Sequence, residues 1–185
     1  MTANLTRVGE APAAVSLEDA KAFLNVWHND DDNLITQLVA AATDKLDGAD
    51  GMLGRCLAVQ KWTLTLDAFP AGVMKLPLPP LRKVEAIKYL DTQGVEQTLP
   101  EGAHRITGNS VVAKWPQTAA EPGAVAVQFE AGYETVPASI AQAVMSLTFY
   151  WYENRGAAAA ANVAAREVPF GFEDTLTQWR VPVLG

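Results

Sequence analysis

Val136-Pro137-Ala-Ser-Ile140 opens a helical stretch that runs through Phe149-Tyr150-Trp151-Tyr152 to Glu153-Asn154-Arg155-Gly156. Ile140, Val144, Leu147 and Trp151 fall at i, i+4, i+7 and i+11, one face of a helix. Pro137 suits the first helical turn, where a missing N–H costs nothing. Arg155 and Gly156 suit the negative end and a left-handed stop. The four consecutive aromatics, at about 100° per residue, point almost all the way round the axis. One side of a small domain covers only part of such a helix. The pattern predicts an assembly element, with neighbouring subunits covering Phe149, Tyr150, Trp151 and Tyr152.

Beyond this helix, residues 157–165 are nearly all alanine, which favours helix but offers little to pack. A mobile loop, or an extension ordered by a partner, is expected there. Residues 169–185 then bring Phe170, Phe172, Leu176 and Trp179, with Arg180 beside them. That is a large apolar load for a terminus.

Upstream the period changes. Trp62, Leu64 and Leu66 alternate with Lys61, Thr63 and Thr65, a half-buried strand. Further strands are expected at 73–76, 84–90, 95–99, 103–106, 110–113 and 124–130. Turn signals at Gln93-Gly94, Pro100-Glu101-Gly102, Gly108-Asn109 and Pro122-Gly123 separate most of them. Pro77-Leu78-Pro79-Pro80-Leu81 reads as an edge or a connector, because its prolines cannot donate to a ladder. The spacing predicts a small antiparallel sheet or barrel.

Helical signals also precede the strands. Ser16-Leu17-Glu18-Asp19 resembles a capping box and starts a helix over 17–26. Ile35, Leu38, Ala42 and Leu46 predict a second helix over 31–47. The triplet Asp30-Asp31-Asp32 reads as a turn and N-cap in preference to a metal site, since hard cations need oxygens converging from several positions. Residues 1–15 show no periodicity and read as a flexible arm.

The expected fold is α+β: a helical bundle core with an inserted small antiparallel β-subdomain and an extended C-terminal segment. The expected divisions are a flexible arm at 1–15, N-terminal helices at 16–56, a β-subdomain at 57–133, and C-terminal helices and tail at 134–185. The last of these is expected to pack with 16–56 as one domain.

Composition excludes several functions. Hydrophobic residues make up 49% and charged residues 19% of 185, which describes a globular chain of one domain or one with an insertion. No apolar run reaches the roughly 18 residues of a membrane span. The first ten residues lack a secretion pattern, so a cytoplasmic protein is expected. A net charge of −7 disfavours broad phosphate binding, yet a negative wall lets DNA pass without adhering. The single cysteine, Cys56, excludes an intrachain disulfide and a multi-thiolate zinc site, and reads as a small apolar filler.

Phosphate loops and nucleophile elbows are absent. His28 and His104 have no cysteine or serine partner in local sequence. Trp27, Trp62, Trp115, Trp151 and Trp179 are scattered over every segment, which favours core and interface positions over a sugar platform. No catalytic residue, cofactor or metal is expected. The rival reading is a ligand-binding module or enzyme using Asp91, His104 or Glu130 of the β-subdomain.

Taken in order, S-L-E-D-A-K, D-D-D-N-L-I, P-L-P-P-L with V-E-A-I-K-Y-L-D, G-Y, V-P-A-S-I-A-Q-A-V, W-Y-E-N-R and V-P-F-G-F form a pattern. From about Ser16 to Arg180 it resembles the head–tail connector (adaptor) proteins of long-tailed bacteriophages and gene transfer agents. The resemblance implies a structural virion protein, made in the host cytoplasm and placed at the neck. It implies a ring of twelve copies under the portal protein, joined to the next neck or tail protein, with double-stranded DNA passing through unbound. It also implies that the segment around Phe170, Phe172, Leu176, Trp179 and Arg180 reaches towards the portal, so that truncation after Arg166 would abolish docking. Replacing Trp179 or Phe172 is expected to harm docking more than folding. A stopper or terminator of the same neck is the nearest alternative.

Overall fold

The computed structural model describes residues 3–154 and 172–181. It is an α+β chain with eight strands and four helices among those residues. The expected α+β class holds, and the described residues are richer in strands than a helical bundle with a small insertion suggests. It divides into two compact units, one of residues 1–11 and 59–132, the other of residues 12–58 and 133–185.

The first unit holds all eight strands of the described residues. β1 (Ala3–Val8), β2 (Gln60–Leu66), β4 (Leu81–Leu90), β5 (Glu96–Thr98) and β8 (Val125–Ala131) form one sheet in the order β1-β2-β8-β4-β5. β3 (Met74–Lys75), β7 (Ser110–Ala113) and β6 (His104–Thr107) form a second. Every pairing is antiparallel. β8 sits in the middle of the larger sheet because its alternate residues Val125, Val127, Phe129 and Ala131 are all apolar and fully buried. Phe129 lies opposite Trp62 on one side and Val84 on the other; Val127 lies between Leu64 and Ile87 in the same way. These cross-strand rows fix the register, since a one-residue slip would turn each row to the wrong face.

The arm expected to be loose forms β1 at the edge of this sheet. Its residues are half-buried at most, so hydrophobic periodicity could not report it. Backbone pairing with β2 holds it, with the Arg7 guanidinium 5.2 Å from the centre of the Trp62 ring. The Pro-Leu-Pro-Pro segment leads into β4, and the Leu81 N–H is capped by Asn109 Oδ1 at 2.9 Å.

The second unit holds α1 (Leu17–Leu24), α2 (Asp32–Leu46), α3 (Ala138–Glu153) and α4 (Phe172–Trp179). Ser16 caps α1: its Oγ accepts from Asp19 N–H at 3.1 Å and donates to the Asp19 carboxylate at 2.6 Å. At α2 the capping expectation fails in detail. Asp31 is the N-cap residue but makes no side-chain cap bond. Its Oδ2 instead accepts from the Tyr152 hydroxyl at 2.6 Å, and Asp32 pairs with Lys21 at 2.6 Å. The core joins Ile35, Val39, Leu46, Leu53 and Leu57 to Ile140, Val144 and Leu147. α3 ends at Glu153 with Asn154 as C-cap; Arg155 and Gly156 lie outside the described residues.

The glycine- and aspartate-rich loop after α2 is tightly bonded. Asp47 is buried and its Oδ1 accepts from Leu57 N–H at 2.7 Å. A side chain at Gly51 would place its Cβ 2.2 Å from the Asp47 carbonyl oxygen, so only glycine fits there. Met52 N–H donates to Lys45 O at 2.9 Å and Gly48 N–H to Arg55 O at 2.8 Å. The Asp47→Ala variant strands the buried Leu57 N–H and is expected to lose about 1–3 kcal/mol in a urea melt. An unchanged midpoint would show that the loop does not depend on this carboxylate.

Candidate functional site

The aromatic helix is largely satisfied by its own chain. Trp151 and Tyr152 pack against the helical core, and Tyr150 is half-buried. Phe149 meets Phe23 of α1 edge-on at 6.3 Å between ring centres, yet stays 44% exposed. Of the four, Phe149 is the one that still presents a large apolar surface. α1 and the Asp31 carboxylate reach sides of α3 that sequence periodicity treats as open.

The C-terminal residues divide similarly. Leu176 is buried in the helical core. Trp179 is half-buried; its indole N–H donates to Ser139 Oγ at 2.9 Å, and its ring stands edge-on to Tyr133 at 6.1 Å. The Arg55 guanidinium lies 5.4 Å from the centre of the same ring, and Arg55 also donates to the Tyr133 hydroxyl at 2.6 Å. Val181 N–H donates to Leu53 O at 3.0 Å, fastening the end of this segment. α4 thus folds back on its own subunit, and of the group's described side chains Leu176 is buried, Trp179 half-buried and Arg180 exposed. Phe170 lies outside the described residues. Phe172 begins α4.

The rival catalytic set is not brought together by any contact. Asp91 builds the β4–β5 turn, accepting from the N–H groups of Gln93 and Val95 and from Gln97 Nε2 at 2.9–3.0 Å. Those bonds, that of Gln97 first, hold its carboxyl below the usual Asp range. Glu130 pairs with Arg82 at 3.2 Å. His104 borders an open groove with Lys83, Glu85 and Glu101, and its Nδ1 is buried without a hydrogen-bond partner. No carboxylate among the described residues bonds that nitrogen. Glu85 is itself engaged by Lys61 at 2.7 Å. Phe69, stacked on Trp115 at 4.7 Å, and Pro70 line another open groove beside Lys114. No cluster of three metal-ligating side chains occurs among the described residues. Cys56 is buried, and His28 lies on the surface 3.6 Å from Asp30.

Charge is distributed unevenly, which total composition conceals. The helical unit carries thirteen Asp and Glu against six Lys and Arg; the β unit carries eight of each. The whole net charge of −7 therefore resides in the helical unit. No described helix is long and apolar enough to cross a membrane.

A scan of family models matches residues 13–165 to the head completion protein. The chain belongs to the head completion protein family. It is a structural head–tail connector of a phage-like particle, as the ordered sequence pattern implied. The match spans both units, as a fold element common to the family would. Among solved structures, a chain from the neck of an empty gene transfer agent particle, computed with six-fold symmetry, aligns with a TM-score of 0.79. It is 25% identical, with 98% of each chain covered. A chain of a native gene transfer agent virion aligns at 0.77 with 24% identity, covering 98% of this chain and 97% of that one. A third, from a native neck computed with twelve-fold symmetry, aligns at 0.69 with 22% identity and 98% coverage of each. A search of curated proteins returned no significant match.

Trp179→Ala removes a half-buried indole, its bond to Ser139 and its contacts with Tyr133 and Arg55. It is expected to cost about 3 kcal/mol of stability in chemical denaturation. Arg180→Ala, on the exposed side, should stay within about 0.5 kcal/mol of the parent. A Trp179→Ala protein as stable as its parent would return Trp179 to the role of an external anchor.

Proposed function

We propose that this chain is one subunit of a ring at the neck of a phage-like particle, seated between the portal and the next neck or tail component. The observation that carries the reading is family membership over residues 13–165, joined to a full-length likeness to a gene transfer agent neck chain. The related necks were computed with six-fold and twelve-fold symmetry, and a ring of twelve satisfies both, since six-fold rotation is contained in twelve-fold. The helical unit is the family's core in this reading, and the β unit is its insertion. Its work is mechanical. It spans a joint and leaves a passage for DNA. The acidic helical unit favours that passage, because a negative surface repels the phosphate backbone and gives it nothing to bind.

The portal-facing segment in this reading comprises Phe170, Phe172 and Arg180, with exposed Phe149 available to a neighbouring subunit. Leu176 and Trp179 support that segment from within the subunit. Mixing the purified chain with the portal protein of its own particle and imaging the product by electron microscopy tests the proposal. A ring stacked on the portal is expected. Replacing Phe170 and Phe172 together by Ser is expected to weaken docking at least tenfold, about 1.4 kcal/mol, without lowering the melting temperature. A chain that never joins the portal, or a double variant that docks normally, contradicts the proposal.

A further inference from the structure

The α1–α2 loop presents a tryptophan where a folded subunit has no use for one. Trp27 is 82% exposed. The loop around it is nonetheless held. Val26 beside it is buried, and Asn25 takes a left-handed conformation that ends α1. Lys21 Nζ bridges Asn29 Oδ1 at 2.8 Å and Asp32 Oδ1 at 2.6 Å, tying the loop to the start of α2. A large aromatic on a fixed loop is preorganised to bind: little ordering is lost when it is buried. Around it the chain is acidic, with the Asp30 side chain 94% exposed.

The β unit carries a complementary feature. Leu64, Leu66, Val73, Met74 and Leu76 line an open, mainly apolar groove of about 420 Å³ beside the β3 edge. Met74, Leu64 and Leu76 are its buried floor, and Val73 is 52% exposed at its rim. The exposed cation Lys75 borders it. The groove is apolar, as Trp27 is, and its bordering Lys75 is opposite in charge to Asp30.

We propose that Trp27 of one copy inserts into the Leu64–Met74–Leu76 groove of the next copy, with Asp30 facing Lys75. This rests on the ring reading above. The contact joins two different surfaces of the same chain, which is the head-to-tail kind of interface that closes into rings. It also pairs the unit that carries all the net negative charge with the unit that carries none. The indole is the anchor of a broader interface whose rim adds complementarity.

The test keeps the Trp27 anchor and the apolar floor Leu64–Met74–Leu76 intact, gives up the Lys75 charge, and reads proximity at their borders. H28C and K75C place thiols beside Trp27 and on the groove rim; the native Cys56 is buried and does not compete. Full-length single variants are assembled on the portal, separately and as an equimolar mixture, then oxidised. The expected result is a disulfide-linked dimer that appears in the mixture, is scarce in either variant alone, and is matched by a ladder of higher species from the H28C/K75C double variant. Rings visible by electron microscopy with no mixed dimer would overturn this contact and leave the ring standing. Rings in which H28C pairs chiefly with itself would overturn it in favour of a symmetric contact. Absence of both rings and cross-links would overturn the contact and the ring reading together. W27A is expected to raise the concentration needed for assembly on the order of 30-fold, with its melting temperature unchanged. W27A assembling like the parent would also overturn the proposal.

Discussion

The helical core exists only because two distant parts of the chain meet. α1, α2 and the Asp47 loop supply Ile35, Leu46, Leu53 and Leu57; α3 supplies Ile140, Val144 and Leu147. The β unit lies between them in sequence, so neither part buries its apolar face until the other arrives. At the point of closure a bridge pairs Ala58 with Tyr133, and Tyr133 N–H donates to Leu57 O. Tyr133 then anchors Arg55 and Trp179, which links α4 to the same junction. Closure of the core, burial of α3 and docking of the tail helix therefore depend on one set of contacts.

This arrangement separates completing the subunit from the proposed ring assembly. Had α3 needed neighbours to cover its aromatics, an isolated subunit would expose a large apolar surface and aggregate. Instead Trp151, Tyr152, Leu176 and Trp179 serve their own chain, and among the described residues the large exposed hydrophobics are scattered: Val8, Trp27, Val73, Val95, Ile106 and Phe149. A few small patches suit a protein that folds in solution and later joins a large structure. The uneven charge adds direction, since an acidic unit and a neutral unit do not present interchangeable surfaces.

Much of the fold was legible in the sequence. β2 and β8 alternate cleanly, and the Ile140–Val144–Leu147 stripe is buried as its period requires. β1 was not legible, because an edge strand held by backbone bonds leaves no apolar pattern. The role of Asp31 was also hidden. A carboxylate before a helix reads as a cap, and only the tertiary approach of Tyr152 turns it towards α3. Aromatic side chains told that α3 is covered, but not by what: period gives direction around an axis and says nothing of the partner. The tail shows the same limit, since Leu176 and Trp179 are equally apolar facing inward or outward. Family membership was legible through the order of weak motifs, whereas the Trp27 loop and its groove emerge only from exposure in the folded chain.

Amide hydrogen exchange on the dilute, monomeric full-length chain shows whether the subunit is complete before it assembles. Amides across Ile140–Tyr152 of α3 should be protected as strongly as those of Ile35–Leu46 in α2. An α3 that exchanges freely in the monomer, and gains protection only on assembly, would show instead that neighbours complete the subunit.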